Sequence, residues 1–212
     1  VNMAGFCITD EERVVEASRR EIVRRYFETL CNAKRGQVGE SSVGKVELLI
    51  NQAGASVSDR KVVGAVRGHP SHGKLSVLAI ELPNGKIVTG KSSKLMSASS
   101  AVLLNAVKEL ANMDDAIHLL SPSVIEPVQN LKSKYLGESS PHLHADETLV
   151  ALSVCATTNP YASHVLDQLP RLKGCEAHSS SMMLPTESAL IRKLGLNLTC
   201  EPEYPTDRFY NG

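Results

Sequence analysis

Tryptophan is absent from the 212 residues, and tyrosine and phenylalanine together supply only 4% of them. Without aromatic platforms, stacking on single-stranded bases is not a credible main activity. Net charge is missing too, since 23 basic residues cancel 23 acidic ones, so the electrostatic footprint of a nucleic-acid binder is lacking. No run is long and apolar enough for a membrane span or a signal peptide. Cysteine is sparse. The five, at positions 7, 31, 155, 175 and 200, include no close pair, which excludes a Cys-x-x-Cys metal or redox motif and points to a reducing cytoplasm. Partners that are nucleic acids or membranes are therefore not expected.

The apolar residues that are present fall into clear periods. Thr9-Asp10-Glu11-Glu12 has the spacing of a capping box, and Val15, Ile22, Val23, Tyr26, Phe27 and Leu30 lay a stripe down the helix that follows, up to Gly36. Arginines 19, 20, 24 and 25 on this helix are interleaved with Glu16, Glu21 and Glu28, the pattern of a solvated face. A second helix carries Val43, Val46, Leu49, Ile50 and Ala53 to a stop at Gly54, and a third runs over residues 58–68. The chain thus divides into a helical segment, 1–72, and an α/β domain, 73–212, joined by a connector that exposes His69 and His72. Within the second part the pattern predicts a hairpin and a small-residue helix over 97–111. A short buried strand over 116–120, holding His118 as a core residue, and a Ser121-Pro122 helix come next. A helical insertion at about 141–170 precedes a final strand, helix and strand over 175–200.

Gly85-Lys86-Ile87-Val88-Thr89-Gly90-Lys91-Ser92 matches the phosphate-loop pattern G-x-x-x-x-G-K-[ST] in full. Such a loop must curl its amides around an anion at a helix start. Three consecutive β-branched residues resist that curl, and Pro83-Asn84-Gly85 before them reads as a hairpin turn. The expected structure is a strand ended by Gly90, with nucleotide binding here as an alternative function. The near match at Gly39-Glu40-Ser41-Ser42-Val43-Gly44-Lys45 lacks the hydroxyl residue and follows a helix.

Several longer stretches carry a family likeness. Glu47-Leu48-Leu49-Ile50-Asn51-Gln52-Ala53-Gly54, Ser121-Pro122-Ser123-Val124-Ile125-Glu126-Pro127, Leu172-Lys173-Gly174-Cys175-Glu176-Ala177-His178-Ser179 and Leu196-Asn197-Leu198-Thr199-Cys200-Glu201-Pro202 closely resemble the downstream part of a bacterial family known as domain of unknown function 1846. That resemblance implies cytoplasmic homo-oligomers with an additional α/β half upstream, on which this piece would pack and which leaves room for a nucleotide. No cofactor is expected in the residues at hand. A second, architectural resemblance covers residues 75–134: hairpin, small-residue helix, short strand, Ser-Pro and helix look like the core of the cytidine deaminase fold. Those enzymes hold zinc through a His or Cys placed two residues before a catalytic Glu, and a Pro-Cys-x-x-Cys. Here Ser97-Ala98-Ser99-Ser100 and Pro122-Ser123-Val124-Ile125-Glu126 stand in those places, so no zinc deaminase activity is expected.

Cys175-Glu176-Ala177-His178 is the densest reactive cluster and invites a Cys-His nucleophile for hydrolysis or acyl transfer. In a strand, however, Glu176 and His178 share a face while Cys175 points away. The structural alternative is a buried cysteine beside a hydrogen-bonded pair. His142-x-His144-x-Asp146 offers metal-ligand residue types or, for Asp146, a helix start. Cys175, Glu176, His178, His144 and Asp146 are the candidate catalytic residues, with no metal site assigned. Cys200-Glu201 would approach Cys175 if the last two strands were neighbours. Taken together, these features point to an assembly module that completes a small-molecule site in a larger protein, with a Cys-Glu-His enzyme as the alternative.

Overall fold

The computed structural model describes residues 10–139 and 141–205, and their architecture is mixed α/β. Asp10 opens the first helix, α1 (Glu11–Lys34), by accepting the Arg13 amide at 3.1 Å; Thr9 of the expected capping box lies outside the described residues. Gly36, at φ +72°, follows its end, and Gly54, in the left-handed region, stops α2 (Glu40–Ala53). Both stops need a conformation that a side chain disfavours. A 3-10 turn at Val57–Asp59 leads into α3 (Lys61–Arg67), then β1 (Val77–Glu81) and β2 (Ile87–Lys91). The central helix α4 (Ala98–Leu110), α5 (Pro122–Asn130) with a π-helical turn at Leu131–Tyr135, α6 (Ala145–Ala156) and α7 (Pro160–Leu166) follow. The chain closes with β3 (Glu176–Ser179), α8 (Pro185–Lys193) and β4 (Asn197–Cys200).

The strands form one sheet in the order β2-β1-β3-β4, with β1 antiparallel to β2 and β3, and β3 parallel to β4. Alternation divides its side chains between two faces. Leu78, Ile80, Ala177 and Leu198 enter the larger core with Val102, Leu103 and Val107 of α4. On the other face Val77 and Ala79 meet Val62 and Val66 of α3, while Val23 and Phe27 of α1 pack on Val63. Helices therefore cover both faces, so polar groups on the inner strands can be held away from water.

The phosphate-loop match is a hairpin. Gly85 sits at φ +81° in its turn, where its amide donates to the Leu82 carbonyl at 2.8 Å, and residues 87–91 pair with β1. Gly90 lies inside β2 and does not end it. Its reason is proximity: a Cβ there would stand 2.2 Å from the Val102 amide nitrogen, so only glycine lets α4 lie this close to the sheet.

One expected strand does not form. Residues 116–120 are irregular, only Leu119 among them is buried, and His118 is exposed. Asn112 turns the chain at φ 53°, and Lys108 holds the loop by donating from Nζ to the Asp115 and Ile117 carbonyls at 2.8 and 3.0 Å. With no strand beside it, this segment has no ladder to join. The likeness to the deaminase core is accordingly not confirmed: α5, α6 and α7 intervene before the next strand. No described helix is long and apolar enough to cross a membrane.

Candidate functional site

Serine accumulates at the edge where β3 and β4 end. Ser76 precedes β1, Ser92 follows β2, Ser179-Ser180-Ser181 follow through from β3, and Ser97, Ser99 and Ser100 start α4. In an α/β sheet the carboxyl ends of parallel strands are the usual place for a ligand, because loops and helix starts leave a crevice there. Glu187 reaches this edge from the first turn of α8. Its Oε1 accepts from Ser97 Oγ at 2.6 Å and from Ser99 Oγ at 2.5 Å. Ser97 also caps α4 by accepting the Ser100 amide at 3.3 Å, and Ser100 Oγ donates to the Leu143 carbonyl at 3.0 Å.

His144 faces the same carboxylate, with Nδ1 3.4 Å from Glu187 Oε1. Nδ1 is buried and has no other polar partner, so Glu187 is the group that its charge meets. Burial alone would raise the Glu187 carboxyl. His144, Ser97 and Ser99 outweigh it and hold the group below the ordinary glutamate range. Glu187 in turn lifts His144 above the usual imidazole value against the opposing effect of burial. His142 is pushed down by burial, then by His144 and Lys132; its ring meets His144 edge-on at 4.7 Å. Buried Lys132 clamps this loop, donating to the His142 carbonyl and to Glu147 Oε2, both at 2.9 Å, while Glu147 accepts the His144 amide at 2.8 Å. Asp146 is not part of the group: it lies exposed on the first turn of α6.

A cavity of about 20 Å³ adjoins Ser99 and Glu187, enough for one water. It shares Ser76 and Ser181 with an open cleft of about 560 Å³, whose mouth carries Arg67, His72, Glu201 and Tyr204. The arrangement can accept protons and hydrogen bonds from a small polar molecule. Among the described residues no set of three His, Cys, Asp or Glu is placed to hold a metal ion.

The Cys-Glu-His cluster is split by the sheet. Cys175 is in the larger core, its Sγ 3.7 Å from the Arg171 carbonyl, and burial followed by Glu176 raises its pKa. Thiolate formation is disfavoured there. Glu176 and His178 point to the opposite face, under α1 and α3, yet they do not pair with each other. Fully buried Arg60 donates from Nε to Glu176 Oε2 at 2.8 Å and from Nη2 to the Ala177 and Asn197 carbonyls at 3.0 and 2.9 Å. Arg24 Nη1 reaches Glu176 Oε1 at 2.6 Å. Arg60 also donates to the Thr199 hydroxyl, which lies 2.8 Å from His178 Nδ1, while His178 Nε2 lies 3.2 Å from Glu201 Oε1. These partners favour one tautomer: Glu201 can only accept, so Nε2-H donates to it and Nδ1 accepts a hydrogen bond from the Thr199 hydroxyl. Burial lowers the His178 pKa despite Glu201, so the ring stays neutral. Burial would raise Glu201, but His178 and Arg67 pull it down to about 2. Phe27 covers the imidazole at 4.7 Å between ring centroids. Cys200 pairs with Ser179 at the far end of the strands from Cys175.

The sequence offered little to single out Glu187 and Arg60. An acidic residue in a helix's first turn is ordinary, and an arginine between two helical turns looks solvated. Ser97-Ala98-Ser99-Ser100 was the available signal, since three hydroxyls at one helix start imply a shared acceptor.

Comparison with known sequences now decides the lineage. The family model described as "Domain of unknown function DUF1846, C-terminal" matches residues 58–210. The chain belongs to the DUF1846 family. The match is not confined to the C-terminal domain, because the N-terminal DUF1846 model matches residues 1–54, the stretch that holds α1 and α2. Relatives include UPF0371 proteins of Streptococcus pneumoniae serotype 19F (strain G54) and of serotype 4 (strain ATCC BAA-334 / TIGR4). Each is 45% identical over 210 residues, 99% of this chain. The DUF1846 chain spans 42% of the length of each.

Proposed function

We propose that this DUF1846 chain is an assembly module that completes a small-molecule site in a larger, self-associating cytoplasmic protein, and that its contribution to the site is the serine-lined crevice around Glu187. The observation that carries this reading is a buried, ionised carboxylate held by Ser97, Ser99 and His144 beside an open cleft. Keeping an ionised carboxylate buried beside a cleft is costly, and a donor-rich ligand adds to what Ser97, Ser99 and His144 already offset. Among the described residues Cys31, Cys155, Cys175 and Cys200 are free thiols, which suits a reducing compartment. Since the relatives are longer than this chain, their additional residues are available to form the other wall. The acyl-transfer alternative lacks comparable support, as Cys175 and His178 lie on opposite faces of the sheet.

A metabolite panel read by thermal shift tests the proposal on a longer family member and on this chain. A ligand at a hundredfold over its Kd adds about 2.7 kcal/mol, or about 5–10 °C for a domain of this size. The expected hit stabilises the longer protein and loses its effect in Glu187→Gln. A hit whose shift survives both Glu187→Gln and Ser99→Ala places the ligand elsewhere and refutes the proposal.

A further inference from the structure

The outer edge of β4 lies at the bottom of a groove of about 860 Å³ walled by α1 and α8. In the parallel ladder Asn197 and Glu201 turn their amides inward, to the Cys175 and Ser179 carbonyls at 2.9 Å each. Leu198 and Cys200 therefore face outward. Of their four backbone groups two are engaged: the Leu198 amide donates to the Leu196 carbonyl at 3.2 Å, and the Cys200 carbonyl accepts from Cys31 Sγ at 3.3 Å. Among the described residues nothing meets the Leu198 carbonyl or the Cys200 amide. These two groups flank Thr199, which is the spacing that one residue of a parallel strand bridges, its N-H to the first and its carbonyl to the second. An antiparallel strand would need both groups of a single residue, and neither Leu198 nor Cys200 has both free.

The groove walls are basic. Arg24, Arg25, Arg35 and Arg192 face Glu21 and Glu28. Glu21 is already bound by Arg24 and Arg25 at 2.7 and 3.0 Å, and neither Arg35 nor Arg192 makes an ion pair among the described residues. Two copies of this groove set edge to edge would bring like charges together, which argues against self-pairing. We infer that β4 accepts an extended, acidic segment of a partner polypeptide as a fifth, parallel strand, with its carboxylates on Arg35 and Arg192 and its backbone on Leu198 and Cys200. Main-chain pairing supplies affinity in such additions and the flanking charges supply selectivity. Residues 182–184, Met-Met-Leu, line the same groove and offer adaptable apolar contact to the alternate side chains.

The test uses a fluorescent seven-residue peptide alternating valine and glutamate, titrated against this chain by anisotropy. Controls are the same peptide with lysine for glutamate, and one N-methylated at every residue so that neither of its edges can donate to a strand. The expected result is saturable binding of the acidic peptide, weakened about tenfold or more by N-methylation, by lysine, or by Arg35→Glu with Arg192→Glu. Both arginines are exposed, so the variant keeps its fold. Equal binding of the N-methylated peptide overturns the strand addition. Binding that appears only after removal of residues 206–212 assigns the groove to the chain's own end, and self-association in place of peptide binding assigns it to a second copy. Either outcome overturns the inference.

Discussion

Replacing Arg60 by methionine is the most demanding test of how the helical segment is held on the sheet. Arg60 is fully buried, and it satisfies Glu176, the Thr199 hydroxyl and the carbonyls of Ala177 and Asn197. Methionine fills much of the volume but donates nothing. Glu176 keeps Arg24 and the Asn197 side-chain amide, at 2.6 and 3.1 Å, while two carbonyls and a hydroxyl each lose one donor in a closed interior. Breaking a buried ion pair from one side costs about 3–5 kcal/mol. For a domain of this size that lowers Tm by about 6–20 °C. Urea unfolding followed by circular dichroism measures it. Adding Glu176→Leu to Arg60→Met removes the carboxylate that has lost its buried partner, so the double variant should recover at least part of the loss, with a positive coupling in the cycle. A single variant as stable as the unmodified chain would show that Arg60 is not holding this interface and would refute the reasoning.

Further expectations follow from the same contacts. Gly90→Ala should cost a few kcal/mol or prevent folding, because its methyl meets the Val102 backbone and no flexible side chain can yield; near-native stability contradicts the packing. With Cys7 changed to Ser, the native chain should react slowly with iodoacetamide at pH 8, since burial raises Cys175 and pushes Cys31 and Cys200 up to about 11 and about 12. Rapid labelling of Cys175 would revive a nucleophilic role. His178 has a folded pKa below its ordinary 6.5, so the unfolded chain binds its proton first and stability should fall as pH drops below about 6.5. In His178→Gln that acid-side slope should flatten. The Glu201 carboxylate, depressed from 4.5 to about 2, contributes stability that is complete above about pH 4.5 and lost toward pH 2, a slope absent in Glu201→Gln.

What the sequence disclosed and what it concealed separate along one physical line. Signals confined to a few neighbouring residues were readable: positive-φ glycines at 36 and 54 end helices, Asn84-Gly85 turns a hairpin, and strand alternation sends Cys175 away from Glu176 and His178. Residues 116–120 misled because an apolar run of that length suits a strand or a half-buried loop equally, and only the absence of a neighbouring ladder decides. The site itself depends on distant partners. Glu187 meets Ser97 across 90 positions and Arg60 meets Glu176 across 116, and no local pattern encodes either meeting. Gly90 lies between these extremes. Its motif suggested an anion, while its actual constraint is the helix lying over it.

The claim on which the functional proposal stands is that Glu187 is an ionised, buried acceptor that raises the affinity of His144 for its proton. Titrating the His144 ring by proton-carbon NMR, in the unmodified chain and in Glu187→Gln, measures it most directly. The account predicts a midpoint above the ordinary 6.5 that falls by a clear margin in the variant. A midpoint at or below the ordinary value, unmoved by Glu187→Gln, would contradict it.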